Sequence, residues 1–166
     1  LEDIESRINA NTRGIVVINP NNPTGAVYSR ETLEKIVDIA RRHELVIFAD
    51  EIYDRILYDG RQHVYPGSLE PLKERTITVG GLSKTFAMTG WRVGWLIGPR
   101  EVAQGATRIQ SHLSSNVNNV AQAAALEAVT GSLDAVVEMR SAFDRRRRTM
   151  VDALRAIPGV TCQEPQ

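Results

Sequence analysis

The sequence is poor in features that would tie the chain to a membrane, to nucleic acid or to an oxidising compartment. It has one cysteine, Cys162, so no disulfide can form within the chain, which favours a reducing compartment and a cytoplasmic location. It has no run of about 18 apolar residues, so we expect no membrane-spanning helix. Lysine plus arginine and aspartate plus glutamate number 20 each, so no net charge attracts the chain to nucleic acid or membrane. No signal peptide is recognisable, and the start at Leu1 rather than methionine indicates missing upstream sequence.

The rest of the composition is that of an ordinary α/β domain. The 166 residues are 42% hydrophobic and 24% charged, and a chain of this length can bury a core. Helical periodicity alternates with short β-branched runs, so the first two strands flank a helix and should be parallel. Strands are predicted over 15–18, 45–48, 76–79 and 94–98, and helices over 1–12, 29–40, 101–111, 118–129 and 132–156, with a long polar loop over 58–73.

A lysine in a glycine-rich bend carries the strongest chemical signal. Lys84 follows the third predicted strand and two glycines, so the strand delivers it to the sheet edge where open α/β sheets hold their chemistry. Ser83 precedes it, and Arg92 comes eight residues later. An amine can form a Schiff base with an aldehyde, and a guanidinium can bind phosphate bidentately. The pattern therefore indicates an aldehyde cofactor that carries a phosphate, although Lys84 taken alone would be an ordinary surface lysine.

Polar residues also follow the first two predicted strands. Asn22 lies in an Asn-Pro-Asn-Asn-Pro-Thr-Gly segment directly after the first strand. Asp50 and Tyr53 lie in an Ala-Asp-Glu-Ile-Tyr segment directly after the second. Because the carboxyl ends of parallel strands meet at one sheet edge, we expect these three residues to lie beside Lys84.

With these three segments the chain resembles the pyridoxal-phosphate-dependent aminotransferases of class I/II, the aspartate aminotransferase superfamily of fold type I. The resemblance covers nearly the whole chain. It implies a three-layer α/β sandwich, mainly parallel with one antiparallel strand (the fourth), and pyridoxal 5′-phosphate as cofactor. In this family the residue that matches Lys84 forms the Schiff base and then moves a proton during catalysis.

The resemblance also implies a role for each remaining candidate residue. Asp50 would keep the pyridine nitrogen protonated, as a nearby opposite charge does. Asn22 and Tyr53 would hydrogen-bond the phenolic oxygen, and Ser83 and Arg92 would bind the phosphate. Each residue also has an ordinary interpretation: Asp50 as a helix cap, Asn22 as a turn former, Tyr53 in the core, and Arg92 in a salt bridge on a strand.

One position departs from a common pattern of the family. Some relatives carry serine three residues before the lysine, where this chain has Gly81. This puts one phosphate contact in doubt and leaves the class unaffected. The segment over 111–119 resembles the part of the family that reaches the neighbouring subunit, and a plain interhelical loop is an equally good interpretation.

Several conspicuous residues favour ordinary roles. We expect no metal site, because the three histidines have no ligand spacing and no cysteine cluster supports them: His43, His63 and His112. The arginine run 145–148 is predicted to be a solvated helix face. Trp91 and Trp95 are predicted to lie in the core rather than to stack on a cofactor.

The resemblance finally predicts the organisation and function of a longer enzyme. Residues 1–157 would form the central part of the cofactor-binding large domain, and 158–166 would start the linker to a small domain. The full enzyme, a homodimer, would pass an amino group between an amino acid, with aspartate as first choice, and a 2-oxo acid. The stretch over 51–58 looks more like the alanine-specific branch. The alternatives are an alanine- or aromatic-specific aminotransferase, a lyase or synthase of the same fold, and an aminotransferase-like domain of a transcription regulator. We expect the isolated fragment to be inactive.

Overall fold

The computed structural model describes residues 1–70 and 72–166. It contains four strands and five α-helices in these residues. The strands are β1 (Gly14–Ile18), β2 (Val46–Asp50), β3 (Thr76–Gly81) and β4 (Gly94–Ile97). The helices are α1 (Glu2–Ser6), α2 (Arg30–Arg42), α3 (Arg100–Leu113), α4 (Asn119–Thr130) and α5 (Asp134–Arg155). Single 3₁₀ turns lie at Pro66–Ser68, Lys73–Arg75 and Thr89–Trp91.

The four strands form one sheet in the order β1-β2-β3-β4. β1 and β2 are parallel, and so are β2 and β3, whereas β4 runs antiparallel to β3. The connection from β1 to β2 through α2 is the predicted βαβ unit. The predicted fold class, α/β with a mainly parallel sheet and one antiparallel strand, is therefore confirmed.

Helix α2 covers one face of the sheet and closes the core. The Ser29 hydroxyl accepts a hydrogen bond from the Thr32 N–H at 3.1 Å and so caps the first turn of the helix. The apolar stripe of α2 packs on the inward side chains of β1 and β2, with Leu33 1% and Ile47 0% exposed. Burying each such side chain stabilises the fold by about 1.5–3 kcal/mol. Four apolar residues at helical spacing form this buried stripe: Leu33, Ile36, Val37 and Ala40.

The opposite face of the sheet is exposed in this chain. Side chains alternate across a strand, so Val16 and Phe48 point away from α2, and they are 67% and 43% exposed. All four residues of β4 are exposed. The prediction that Trp91 and Trp95 lie in the core is wrong for the described residues, because they are 45% and 39% exposed.

The first helix is shorter than predicted. It ends at Ser6 instead of continuing to residue 12. The Asn9 side chain accepts a hydrogen bond from the Asn11 N–H, and the Thr12 hydroxyl accepts one from the Asn9 N–H. Such short polar side chains offer the backbone partners that compete with a helix, which explains the early end.

The three C-terminal helices lie within two residues of their predicted bounds. Asn118 caps α4, with its side-chain oxygen accepting from the Val120 N–H at 2.9 Å. The Ser132 hydroxyl accepts from the Asp134 N–H, but the residue at the N-cap of α5 is Leu133, which has no capping side chain. In the described chain no single helix has the length and apolar character to cross a membrane, and only α4 and α5 together, bent by 80°, pass that test.

Candidate active site at the carboxyl edge of the sheet

The three parallel strands bring the candidate residues to one edge of the sheet. Asp50, the last residue of β2, lies between Ile18 of β1 and Val79 of β3 in the strand register. The loops after β1, β2 and β3 therefore leave the sheet side by side. They carry Asn22, Tyr53 and Lys84 respectively.

Lys84 lies against the loop that follows β2. Its Nζ is 5.9 Å from the centroid of the Tyr53 ring, within the range of a cation–π contact. A tight turn holds the lysine, because the Leu82 carbonyl accepts from the Phe86 N–H at 3.2 Å. Lys84 is half-buried, and its amine makes no hydrogen bond or salt bridge within residues 1–70 and 72–166. The backbone at Lys84 is thus fixed by the turn, and among the described residues its amine is left free for a ligand.

The Asp50 carboxylate is fixed by its own turn. One of its oxygens accepts from the Ile52 N–H at 3.3 Å, and its backbone carbonyl accepts from the Asn19 N–H at 3.1 Å. The ordinary interpretation of Asp50 as a helix cap is wrong, because a turn and no helix follows β2. The side chain is partly buried and points to the exposed face of the sheet, on the same side as Phe48.

The turn after β1 is made by the neighbour of Asn22. Asn21 accepts hydrogen bonds from the Thr24 N–H and hydroxyl, and its carbonyl accepts from the Gly25 N–H at 2.8 Å. Gly25 has φ of +70°, a conformation that favours glycine. The Asn22 side chain is exposed and has no hydrogen-bond partner in the described chain, so the turn-forming role belongs to Asn21.

Ser83 and Arg92 are joined through Thr89. The Thr89 hydroxyl donates to the Ser83 carbonyl at 3.0 Å, and Arg92 Nη1 donates to the Thr89 carbonyl at 3.0 Å. The interpretation of Arg92 as a salt-bridge residue on a strand is wrong. It lies two residues before β4 in the left-handed conformation, with φ of 55°, and forms no ion pair with any described residue. Most of its guanidinium is left for an anion.

Close strand packing explains the glycines before Lys84. A Cβ on Gly80 would lie 2.5 Å from Trp95 Nε1, and one on Gly81 would lie 3.1 Å from the Val93 carbonyl. β3 and β4 therefore approach too closely for side chains here to fit without a shift. Gly81 leaves the site without the serine hydroxyl that some relatives have at this position.

Arg147 is a residue whose importance the sequence did not reveal. The prediction of a solvated arginine face holds for its neighbours but is wrong for Arg147, whose side chain is only 4% exposed. Arg147 donates to both carboxylate oxygens of Asp59 at 2.9 and 3.0 Å and to Asp144 at 2.8 Å. Its guanidinium carbon lies 4.6 Å from the centroid of the Tyr58 ring.

The Arg147 cluster fastens residues 165 and 166 to the loop after β1. Arg147 donates to the Pro165 carbonyl at 2.6 Å, and the Gln166 N–H donates to the Gly25 carbonyl at 2.8 Å. Hydrogen bonding to Arg147 holds the pKa of Asp59 below its ordinary value, and the pKa of Arg147 is raised by the same contact. Arg147 thus links α5 to the loop that carries Asn22.

A second group missed from the sequence lies beneath the Tyr53 turn. The side chains of His63 and Glu51 are each 4% exposed, with Nε2 and Oε1 3.5 Å apart. The His63 ring meets Tyr65 edge-on at 4.4 Å between centroids. Burial, followed by the neighbouring Asp54 carboxylate, raises the pKa of Tyr65. No three His, Cys, Asp or Glu side chains in the described ranges are arranged to hold a metal.

The uncommitted groups at this edge fit pyridoxal phosphate. They supply a free amine, a carboxylate with one open oxygen, a phenol and a guanidinium. These match in turn an aldehyde, a pyridinium, a phenolic oxygen and a phosphate. Fold and edge together fit a cofactor-binding α/β domain with a lysine amine at the carboxyl edge of its sheet.

Comparison with known proteins agrees with that class. The whole chain, residues 1–166, matches the family described as aminotransferase class I and II, and it belongs to this pyridoxal-phosphate-dependent family. It is 50% identical over 167 residues to an aspartate aminotransferase of Streptomyces avermitilis, covering 100% of this chain and 41% of the relative. It is 44% identical over 176 residues to a glutamate–pyruvate aminotransferase of Escherichia coli (strain K12), covering 100% and 42%.

Solved structures of relatives have the same fold. The aspartate aminotransferase of Rhizobium meliloti superposes with a TM-score of 0.96 at 40% identity, covering 99% of this chain and 42% of that chain. An aromatic aminotransferase of Pyrococcus horikoshii superposes with a TM-score of 0.96 at 35% identity, covering 99% and 44%. The chain thus spans about two fifths of the length of the relatives that it matches.

Proposed function

We propose that the full-length protein is an aminotransferase, which moves an amino group between an amino acid and a 2-oxo acid by way of pyridoxal 5′-phosphate. The observation that carries this proposal is the half-buried Lys84 amine, which has no partner among the described residues and lies 5.9 Å from the Tyr53 ring, at the edge where Asp50 ends β2. When bound, the cofactor supplies an electrophilic carbonyl and a ring that withdraws electrons from the substrate α-carbon.

The chain's own residues would divide the work between binding and proton transfer. Lys84 is the group that holds the cofactor and then carries a proton at its Nζ. Asp50, turned towards the exposed face of the sheet, would keep the ring nitrogen protonated. Tyr53 and Asn22 would donate to the phenolic oxygen, while Ser83 and Arg92 would bind the phosphate.

Aspartate is the first proposed amino donor. The support is the name shared by several relatives at 37–50% identity. A glutamate–pyruvate activity is the second candidate, because the stretch over 51–58 resembles the alanine-specific branch and one such relative is 44% identical. An aromatic-specific enzyme, a lyase or synthase of the same fold, and a ligand domain of a transcription regulator are the remaining alternatives.

The organisation of the longer protein is also proposed. Residues 1–157 would belong to the large domain, and 158–166 would lead into a small domain. The full-length enzyme would be a cytoplasmic homodimer, with the segment over 111–119 reaching the neighbouring subunit. The isolated 166-residue chain would be inactive, because it lacks the substrate-binding residues that lie outside it.

The deciding experiment is an absorbance spectrum of the full-length protein with pyridoxal phosphate, before and after borohydride. We expect a band near the visible edge that borohydride fixes on the peptide containing Lys84. Lys84→Ala should abolish the fixed label, whereas Lys73→Ala, a change at an exposed lysine before the opposite end of β3, should leave it unchanged. A folded wild-type protein without the band would overturn the proposal, and adding candidate amino acids would rank the substrates.

A further inference from the structure

Two side chains next to the candidate site residues bond to each other. Asp54 follows Tyr53 in the chain, and Thr85 follows Lys84. The Thr85 hydroxyl donates to one oxygen of the Asp54 carboxylate at 3.0 Å. This hydrogen bond joins the loop after β2 to the loop after β3.

The environment makes this bond a fixed part of the edge. Thr85 is only 2% exposed, so its hydroxyl cannot exchange this partner for bulk water. The second Asp54 oxygen accepts from the Tyr65 hydroxyl at 3.2 Å. Both carboxylate oxygens are therefore used, and a charged acceptor makes the stronger kind of hydrogen bond.

The backbone alone gives these loops little to hold them together. The Glu51 N–H donates to the Val79 carbonyl at 3.0 Å, but this bond lies before the two loops diverge. Beyond it, Lys84 and Tyr53 face each other only across the 5.9 Å contact between amine and ring. The Asp54–Thr85 bond lies one residue further along each loop.

We propose that Asp54 and Thr85 form a latch that positions the Lys84 amine against Tyr53. Asp54 is a positioning residue, since it acts through Thr85 and reaches the amine only by fixing the turn that carries it. The inference rests on the proposed function, in which Lys84 holds the cofactor. It assigns a role to the position that follows the lysine, where a hydroxyl is required and the aliphatic part of the side chain is not enough.

The test compares Thr85→Val with Thr85→Ser in the full-length protein. Valine keeps the shape of threonine and removes the donor, whereas serine keeps the donor. Reductive methylation of the cofactor-free protein, read by mass spectrometry, measures the reactivity of Lys84 relative to Lys35 and Lys73. We expect about threefold faster labelling of Lys84 in Thr85→Val, because the turn opens, and wild-type labelling in Thr85→Ser.

A second readout uses the cofactor itself. Circular dichroism of the bound cofactor near the visible edge reports how it is held, and the far-ultraviolet spectrum checks the fold. Thr85→Val should lower the dichroism of the cofactor per bound molecule and weaken cofactor binding by about tenfold. The far-ultraviolet spectrum should stay unchanged. Thr85→Ser should have the dichroism and the cofactor affinity of the wild type. Tyr65→Phe removes the other partner of Asp54 and should have a smaller effect in the same direction.

The outcomes separate this inference from the function on which it rests. A wild-type protein without a lysine-linked cofactor band would overturn the proposed function. A wild-type protein with that band, together with Thr85→Val equal to wild type in labelling and dichroism, would overturn the latch alone. Equal losses of cofactor dichroism and cofactor affinity in Thr85→Val and Thr85→Ser would also overturn the latch, because the effect would then follow packing and not the hydroxyl.

Discussion

Replacing Arg147 with methionine is expected to release residues 165 and 166 from the loop that carries Asn22. Methionine keeps much of the buried aliphatic volume and removes every hydrogen bond of the guanidinium. The lost partners are Asp59, Asp144 and the Pro165 carbonyl. The link between α5, residue 165 and the loop after β1 should then open more often.

The size of the effect follows from how exposed the partners are. Breaking a fully buried ion pair costs about 3–5 kcal/mol, because the remaining charge stays buried. The Asp144 and Asp59 side chains are 30% and 44% exposed, so water can replace many of the hydrogen bonds that Arg147 donated to them. We therefore expect a local loss of about 2 kcal/mol, which is roughly a thirtyfold increase in opening.

Hydrogen exchange of the full-length protein measures this opening directly. The reporters are the Gln166 N–H, bonded to the Gly25 carbonyl, and the Val27 N–H, bonded to the Gln166 side chain. Arg145→Met is the matched control, since Arg145 is an exposed member of the same run. Equal exchange of both reporters in the two variants would refute the role given to Arg147.

Two further predictions concern the same cluster and the β3–β4 pair. Arg147 lowers the pKa of Asp59 in the folded protein. The Asp59 carboxylate therefore stabilises the folded state fully above its unfolded-state pKa of about 4, and this stabilisation is lost as the pH falls through the lower folded-state pKa. Protection of the Val27 N–H from hydrogen exchange should therefore fall with acid in the wild type. In Asp59→Asn this protection should already be low at neutral pH and should change less with acid. An acid response in Asp59→Asn equal to that of the wild type would contradict the role given to Asp59. Gly94→Ala should destabilise the protein by about 1–3 kcal/mol, because its Cβ would lie 2.9 Å from the Gly80 carbonyl. Gly105→Ala in α3, where a Cβ meets nothing within 4 Å, should instead stabilise it by about 0.5–1 kcal/mol, and urea titration that ranked the two variants equally would contradict the packing argument.

Local patterns in the sequence were enough to predict the sheet and the edge where the candidate residues meet. The βαβ unit needs only alternating periodicities, and parallel strands then bring their carboxyl ends together. Asn22, Asp50, Tyr53 and Lys84 lie at or after the carboxyl ends of the three parallel strands, as that geometry predicts, while their roles stay predictions. The antiparallel direction of β4 came from the family resemblance and not from periodicity.

The parts that the sequence did not reveal depend on contacts between distant residues. Arg147 and Asp59 are 88 positions apart, and nothing in a run of four arginines shows which one turns inward. The exposure of Trp91 and Trp95 likewise depends on what packs against β4 and the turn before it. The early end of α1 was visible in principle, because Asn9 and Thr12 are residues that compete with helix hydrogen bonds.

The strand order has a consequence for how the chain is made. Within residues 1–70 and 72–166, β2, β3 and β4 each lie next to the strand that precedes them in the sequence, and no later strand inserts between two earlier ones. During synthesis from the N-terminus, β2 can pair with β1 as soon as β2 itself has emerged, and β3 can then add to a surface that is already formed. The loops that carry Asn22, Tyr53 and Lys84 would therefore be completed in that order, and the amine would be the last of the three to reach the edge.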